Sequence, residues 1–149
     1  MVSHINEEKD FCVQNVLTYG TETWAMKAEN LHSLERAERM MVRWMCGVSL
    51  KDRKRSEVLY SLLGVQSVAK VVRHGRLRWF GHVECKNGDD WVSACRNVVV
   101  AGVRGVGRGR KTWRECVEDD VDELGLHLEW AVFRDVWRGL ISGQTSNPS

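Results

Sequence analysis

Two stretches hold the side chains best suited to chemistry: RHGRLRWFGHV, Arg73 to Val83, and the glycine-arginine run GVRGVGRGRKTW, Gly102 to Trp113. Both interleave cations with aromatic rings, a mixture that fits a polyanion carrying stackable bases. Arg73, Arg76, Arg78, Arg108, Arg110 and Lys111 are the candidate phosphate contacts. Cations on a helix face and an adjoining loop neutralise phosphates additively and do so without reading bases. Trp79, Phe80 and Trp113 could stack on bases, but Trp79 and Trp113 each fall on the apolar stripe of a helix and suit core positions better.

Other chemistries fit these residues less well. Gly105 to Thr112 reads GVGRGRKT and misses a phosphate-cradling G-x-x-x-x-G-K-T loop only at Arg110. The short remainder of the chain shows no second apolar strand ending in an aspartate for magnesium, so that fold could not be completed. His82 and Cys85 have metal-ligand spacing, with Cys95 and either Cys116 or His74 as further ligands, yet no paired CxxC or HxxxH completes a tetrahedral set. Buried or idle thiols are the plainer reading. His32 and His127 lack catalytic neighbours and read as structural or surface residues. The acidic face Glu118, Asp119, Asp122 and Glu123 reads as solvated, or as a partner for the basic block, rather than as a metal site. No metal, cofactor or small-molecule substrate is expected.

The formal net charge of +2 conceals a strong asymmetry. Residues 51–114 carry 15 basic and 5 acidic side chains, whereas residues 115–149 carry 2 and 8. A basic centre beside an acidic C-terminal segment can hold a polyanion, or the two can pair within the fold. Five scattered cysteines and no apolar run behind the N-terminus argue against a secreted disulfide framework and for a nuclear or cytoplasmic place. No run approaches the roughly 20 apolar residues that cross a bilayer.

At 149 residues the chain has the size of one ordinary domain, and its single proline, Pro148, leaves the interior free for helices. Residues 1–15 read as irregular, residues 16–141 as a small all-α multi-helix domain with a basic Gly/Arg-rich loop, and residues 142–149 as a disordered tail. Val16 to Met26 has the β-branched and aromatic content of an extended or turn segment bending at Gly20. From Asn30 to Val48, Leu34, Ala37, Met41, Trp44 and Val48 draw one helical stripe. A short helix follows from Ser56 to Leu63, stopped by Gly64. A third runs from about Val65 to Glu84, with Val68, Val72, Trp79 and Val83 on one face and Lys70, Arg73, His74 and Arg78 on the other; Arg76 lies at the stripe's edge. Trp91 to Val100 is read as helix, with a strand over NVVVAGV as the alternative. Thr112 and Glu115 form a capping box that opens an acidic helix over residues 113–124, closed by Gly125. Trp130, Phe133, Trp137 and Leu140 mark a last helix.

VLTYGTETW, the tryptophan-bearing helix after it, RLRWFGHV, and GRGRKTW followed by an acidic helix ending in ELGL come in a set order and spacing. Taken together they resemble the C-terminal region of the reverse-transcriptase polyprotein of non-LTR (LINE-like) retrotransposons, over about Val16 to Leu140. The family's late motif usually reads GRPRKTW or GRPKKTW, and here Gly109 replaces the proline, which implies a less rigid loop. Polymerase chemistry in that family belongs to an upstream palm domain with a YxDD-type aspartate pair, absent from this chain, as is the upstream endonuclease. The resemblance therefore implies a non-catalytic segment that grips RNA or DNA, with upstream reverse transcriptase domains acting with it in trans, and a 5′-truncated element copy or isolated tail as its origin. A helical protein-interaction module and the inert product of a decayed element are the competing expectations.

Overall fold

The computed structural model of the chain describes residues 14–86, 88, 90–96, 98, 107, 109 and 111–143. Among these residues the fold is all-α: α1 (Ala28–Met45), α2 (Ser56–Leu63), α3 (Val68–Glu84), α4 (Trp91–Arg96), α5 (Trp113–Glu123) and α6 (Arg134–Ser142), with 3-10 turns at Thr21–Thr23, Leu50–Asp52 and Leu128–Val132. The chain falls into two compact units, Met1–Thr21 with Met26–Arg73 and Glu22–Ala25 with His74–Ser149. The segment read from sequence as one helical domain is thus divided between them. Most of the irregular N-terminal segment and of the C-terminal tail, and the stretch NVVVAGV apart from Val98, lie outside the described residues.

Residues 14–18 are helical, where an irregular segment to residue 15 and an extended or turn segment from Val16 are expected. The β-branched Thr18 is accommodated because its hydroxyl donates to the Gln14 carbonyl at 2.8 Å, and Thr21 repeats the move onto Thr18 at 2.8 Å. Gly20 supplies the expected bend, at φ +73°.

In the first unit α1 packs against α2, and the buried side chains are Val42, Leu59, Val68, Val72, Thr21 and Glu38. Glu38 overturns the expected stripe. Its carboxylate accepts hydrogen bonds from the Val68 backbone N–H at 3.0 Å, the Tyr60 hydroxyl at 3.0 Å and Gln14 Nε2 at 3.3 Å. Burial, reinforced by the adjacent Glu38 charge, pushes the Tyr60 phenol well above its ordinary pKa, so it stays a donor. A carboxylate satisfied this way holds a core position that periodicity assigns to apolar residues, and α1 is turned accordingly. Trp44, expected in the stripe, is 82% exposed. The helix stops are as expected: Gly64 follows α2 at φ +70°.

The second unit has one core, built from Leu77, Phe80, Val117, Val121, Leu126, Ala131, Trp137, Leu140 and Ile141, with Trp113, Leu128 and Trp130 packed against it. The capping box at Thr112 and Glu115 forms as expected, each side chain accepting from the other's backbone N–H. At the other end of α5, Gly125 at φ +63° lets the Leu126 N–H reach the Val121 carbonyl at 2.9 Å, which drops Leu126 into the core. The last helix begins later than its pattern implies. Leu128–Val132 is a 3-10 turn, Phe133 is exposed, and α6 starts at Arg134 to bury Trp137, Leu140 and Ile141.

Trp137 explains the glycine in RLRWFGHV. Its indole N–H donates to the Leu77 carbonyl at 2.8 Å, and a Cβ at Gly81 would lie 2.4 Å from its Cδ1 and 2.6 Å from its Nε1. Helix propensity alone favours alanine over a mid-helix glycine by roughly 1 kcal/mol. The clash opposes this with a ring held by its own hydrogen bond, and overpacking of this kind typically costs about 1–3 kcal/mol. Gly81→Ala is therefore expected to lower the urea midpoint followed by circular dichroism; a raised midpoint would show that Trp137 gives way.

Candidate nucleic-acid interface

The six candidate phosphate contacts meet different fates. Arg73, in the first unit, is half-buried. Arg76 is 8% exposed in the second unit, with Nε 2.7 Å from Asp120 Oδ2 and Nη2 3.3 Å from Oδ1. This two-pronged pair on α5 takes Arg76 out of the surface set, because a guanidinium satisfied and buried has little left for a phosphate. Arg78 is exposed, one residue from the core position Leu77 on α3. Lys111 is exposed and paired with Asp119, whose hydrogen bond raises the lysine pKa above its ordinary value. Arg108 and Arg110 lie outside the described residues.

Part of the basic block is thus neutralised inside the second unit. Arg76 pairs with Asp120, Lys111 with Asp119, and Arg114 reaches both Glu118 at 3.2 Å and Glu84 at 3.5 Å. The Arg114 guanidinium also lies over the Phe80 ring, 5.1 Å from its centroid. The acidic face of α5 is in this sense a partner for the basic block, one of the two readings its sequence permits.

Two exposed arginines of the unit, Arg78 and Arg138, make no ion pair among the described residues, and they share a surface cleft of about 320 Å³ with His74, Ile141 and Ser142. Sequence reasoning missed Arg138 because it sits in the segment whose summed charge is acidic. A second feature is a groove of about 990 Å³ whose walls include Trp79, His82, Lys86, Trp91, Trp113 and Arg114. Trp79, which its stripe assigns to the core, is 38% exposed instead, with its ring 5.4 Å from that of His82. Arg76, Leu77, Phe80 and Val83 take the buried positions of this part of α3. A buried arginine widens the inward face beyond the apolar stripe, and Trp79 is left at its margin. Trp113, expected in the core, is half-buried, packed against it and donating its indole N–H to the Glu22 carbonyl at 2.7 Å. The position of Trp91 after a turn rich in polar residues is the sequence signal for this groove, since the spacing of Trp79 on α3 points to the core.

Among the described residues no group of three or more His, Cys, Asp and Glu side chains is placed to hold a metal ion, and Cys46, Cys85, Cys95 and Cys116 are free thiols. The Cys85 sulfur lies 3.2 Å from the Ala131 carbonyl and 3.3 Å from that of Val132, so its thiol caps a 3-10 turn. Thr112, the threonine of the phosphate-loop-like pattern, uses its hydroxyl in the α5 cap. No helix among the described residues is long and apolar enough to cross a membrane.

The Arg76–Asp120 pair yields a discriminating test of its structural role. Arg76→Ala or Asp120→Ala alone should each cost roughly 3–5 kcal/mol, since each leaves a buried charge without its partner, whereas Arg76→Met with Asp120→Leu should recover most of that loss. Chemical denaturation of the three variants measures this; additive losses in the double variant would mean that the two charges do not depend on each other.

Comparison of the chain with protein-family models, with curated proteins and with solved structures gives no match.

Proposed function

We propose that this chain is a non-catalytic nucleic-acid-binding segment, of the kind found at the C-terminal end of non-LTR retrotransposon reverse transcriptases, and that it holds phosphates without reading bases. The observation that carries the reading is the Arg78 and Arg138 pair, two exposed guanidiniums on α3 and α6 with no carboxylate partner among the described residues, facing one cleft. Arg76, Lys111 and Arg114, the described cations beside the acidic face of α5, are matched by its carboxylates, whereas Arg78 and Arg138 are not. Guanidinium forks bind phosphate oxygens in two-pronged fashion, which is what two neighbouring arginines without carboxylates are suited to do. Arg108 and Arg110 of the glycine-arginine run add further cations to the same reading.

Of the sequence pieces behind the resemblance, RLRWFGHV, GRGRKTW with the acidic helix ending in ELGL, and the TETW end of VLTYGTETW have residues packed together in the second unit, while the tryptophan-bearing helix belongs to the first unit. Leu77, Phe80 and Gly81 of RLRWFGHV receive Trp137; Thr112 and Trp113 of GRGRKTW start α5 and bind Glu22 of TETW; Gly125 and Leu126 of ELGL close α5.

A second reading, a protein-interaction module, draws on one observation in the first unit: Met40 and Trp44, one turn apart on α1, are both exposed. Sedimentation across a concentration series separates the two, because association through these residues should survive high salt and disappear in Trp44→Ala.

For the nucleic-acid reading, the double variant Arg78→Ala/Arg138→Ala should reduce the slope of log K against log salt for a single-stranded RNA by about 1.4, at about 0.7 for each phosphate no longer neutralised. Arg76→Lys should leave the slope unchanged. An unaltered slope in the double variant would exclude these arginines as phosphate ligands.

A further inference from the structure

We infer that the groove beside α3 is a stacking site for the bases of a single strand, with Trp79 and Trp91 as its platforms. This rests on the nucleic-acid reading and extends it from phosphates to bases. The indoles of Trp79 and Trp91 are 38% and 75% exposed and line the same groove, and the His82 ring beside Trp79 adds a third plane. Exposing two large indoles forfeits burial free energy that each could contribute in a core, at roughly 25 cal/mol per Å² of apolar surface. Trp113 forms a fixed part of the wall, since its N–H is already bound to Glu22 and its ring packs 6.2 Å from Phe80.

The chemistry of the wall favours a base over an aliphatic side chain. Planar bases offer a π-face to each ring regardless of sequence, and base–aromatic stacking is worth about 1–3 kcal/mol per base. Lys86 and Arg114 line the same groove with Glu84, but Lys86 is paired with Asp90 at 3.3 Å and Arg114 with Glu118 and Glu84, so the groove holds a strand by its rings and leaves the phosphates to the neighbouring Arg78. Arg78 immediately precedes Trp79 on α3, so a cation of the arginine cleft and a stacking ring follow one another along the helix. A duplex keeps its bases stacked on one another and has none to offer these rings; a single strand does.

The test uses the full chain and three labelled probes of equal phosphate count: an oligothymidylate, its abasic counterpart and a duplex, followed by anisotropy. The expected result is that the oligothymidylate binds at least 10-fold more tightly than the abasic strand. Trp91→Ala and Trp79→Ala should each weaken oligothymidylate binding by about 10-fold, the equivalent of 1.4 kcal/mol, with little effect on the abasic strand. Trp79→Phe, which keeps a ring in place, should restore most of the binding, and unchanged circular dichroism of the exposed Trp91→Ala variant guards against misfolding. Equal binding of the normal and abasic strands, unaffected by either tryptophan, would overturn the stacking site while leaving phosphate binding intact. Failure to bind any probe at low salt would overturn both. Salt-insensitive self-association that disappears in Trp91→Ala would instead identify the groove as a protein contact and also overturn it.

Discussion

Arg76 and Asp120 place opposite charges in the interior of the second unit, and the packing around them has to keep them together. Asp120 lies between Val117 and Val121 on α5, and Arg76 directly precedes Leu77 on α3. Any rotation of either helix that improved an apolar contact would separate the pair and leave both charges in a medium that solvates them poorly. Such a pair adds little net stability compared with a well-packed apolar pair, but it selects one arrangement of the two helices over near alternatives. Glu38 does the same for the first unit. Its carboxylate gathers the Val68 N–H, the Tyr60 hydroxyl and Gln14, and it thereby sets which side of α1 faces inward.

These two charges also mark where the sequence stops being legible. The glycine stops at Gly64 and Gly125 and the cap at Thr112 follow from local chemistry, and the structure has them where the residues indicate. The inward faces of α1 and α3 do not, because periodicity treats every glutamate and arginine as outward-facing. With Glu38 and Arg76 buried, Trp44 and Trp79 come to the surface. The break between Leu128–Val132 and α6 is hidden for a related reason, as Trp130, Phe133, Trp137 and Leu140 keep helical spacing across a segment whose hydrogen bonding changes at Phe133. Of the candidate site, Arg78 can be read from its helix face, whereas Arg138 cannot, since it sits in a segment whose summed charge is acidic and only the packing of α6 places it beside Arg78.

The acidic face of α5 gives the distribution of charge a simple logic. Lys111, Arg114 and Arg76 are each matched by a carboxylate of α5, so the basic block presents a smaller positive surface than its composition implies. Exposed pairs such as Arg114–Glu118 contribute little to stability and weaken with salt, while the buried pair is largely shielded from it. Internal matching of this kind narrows the surface on which a polyanion is attracted, since the field outside a protein depends on net local charge.

The tryptophans are unevenly shared. Trp24, Trp79, Trp91, Trp113, Trp130 and Trp137 belong to the second unit, and the first contains only Trp44, which is already in contact with water. Indole emission from this protein is therefore a record of one unit: Trp137 leaves an apolar interior when that unit opens, whereas Trp44 passes from water to water. A melting curve followed by emission would register the second unit almost alone, and the first could unfold with scarcely any change in it.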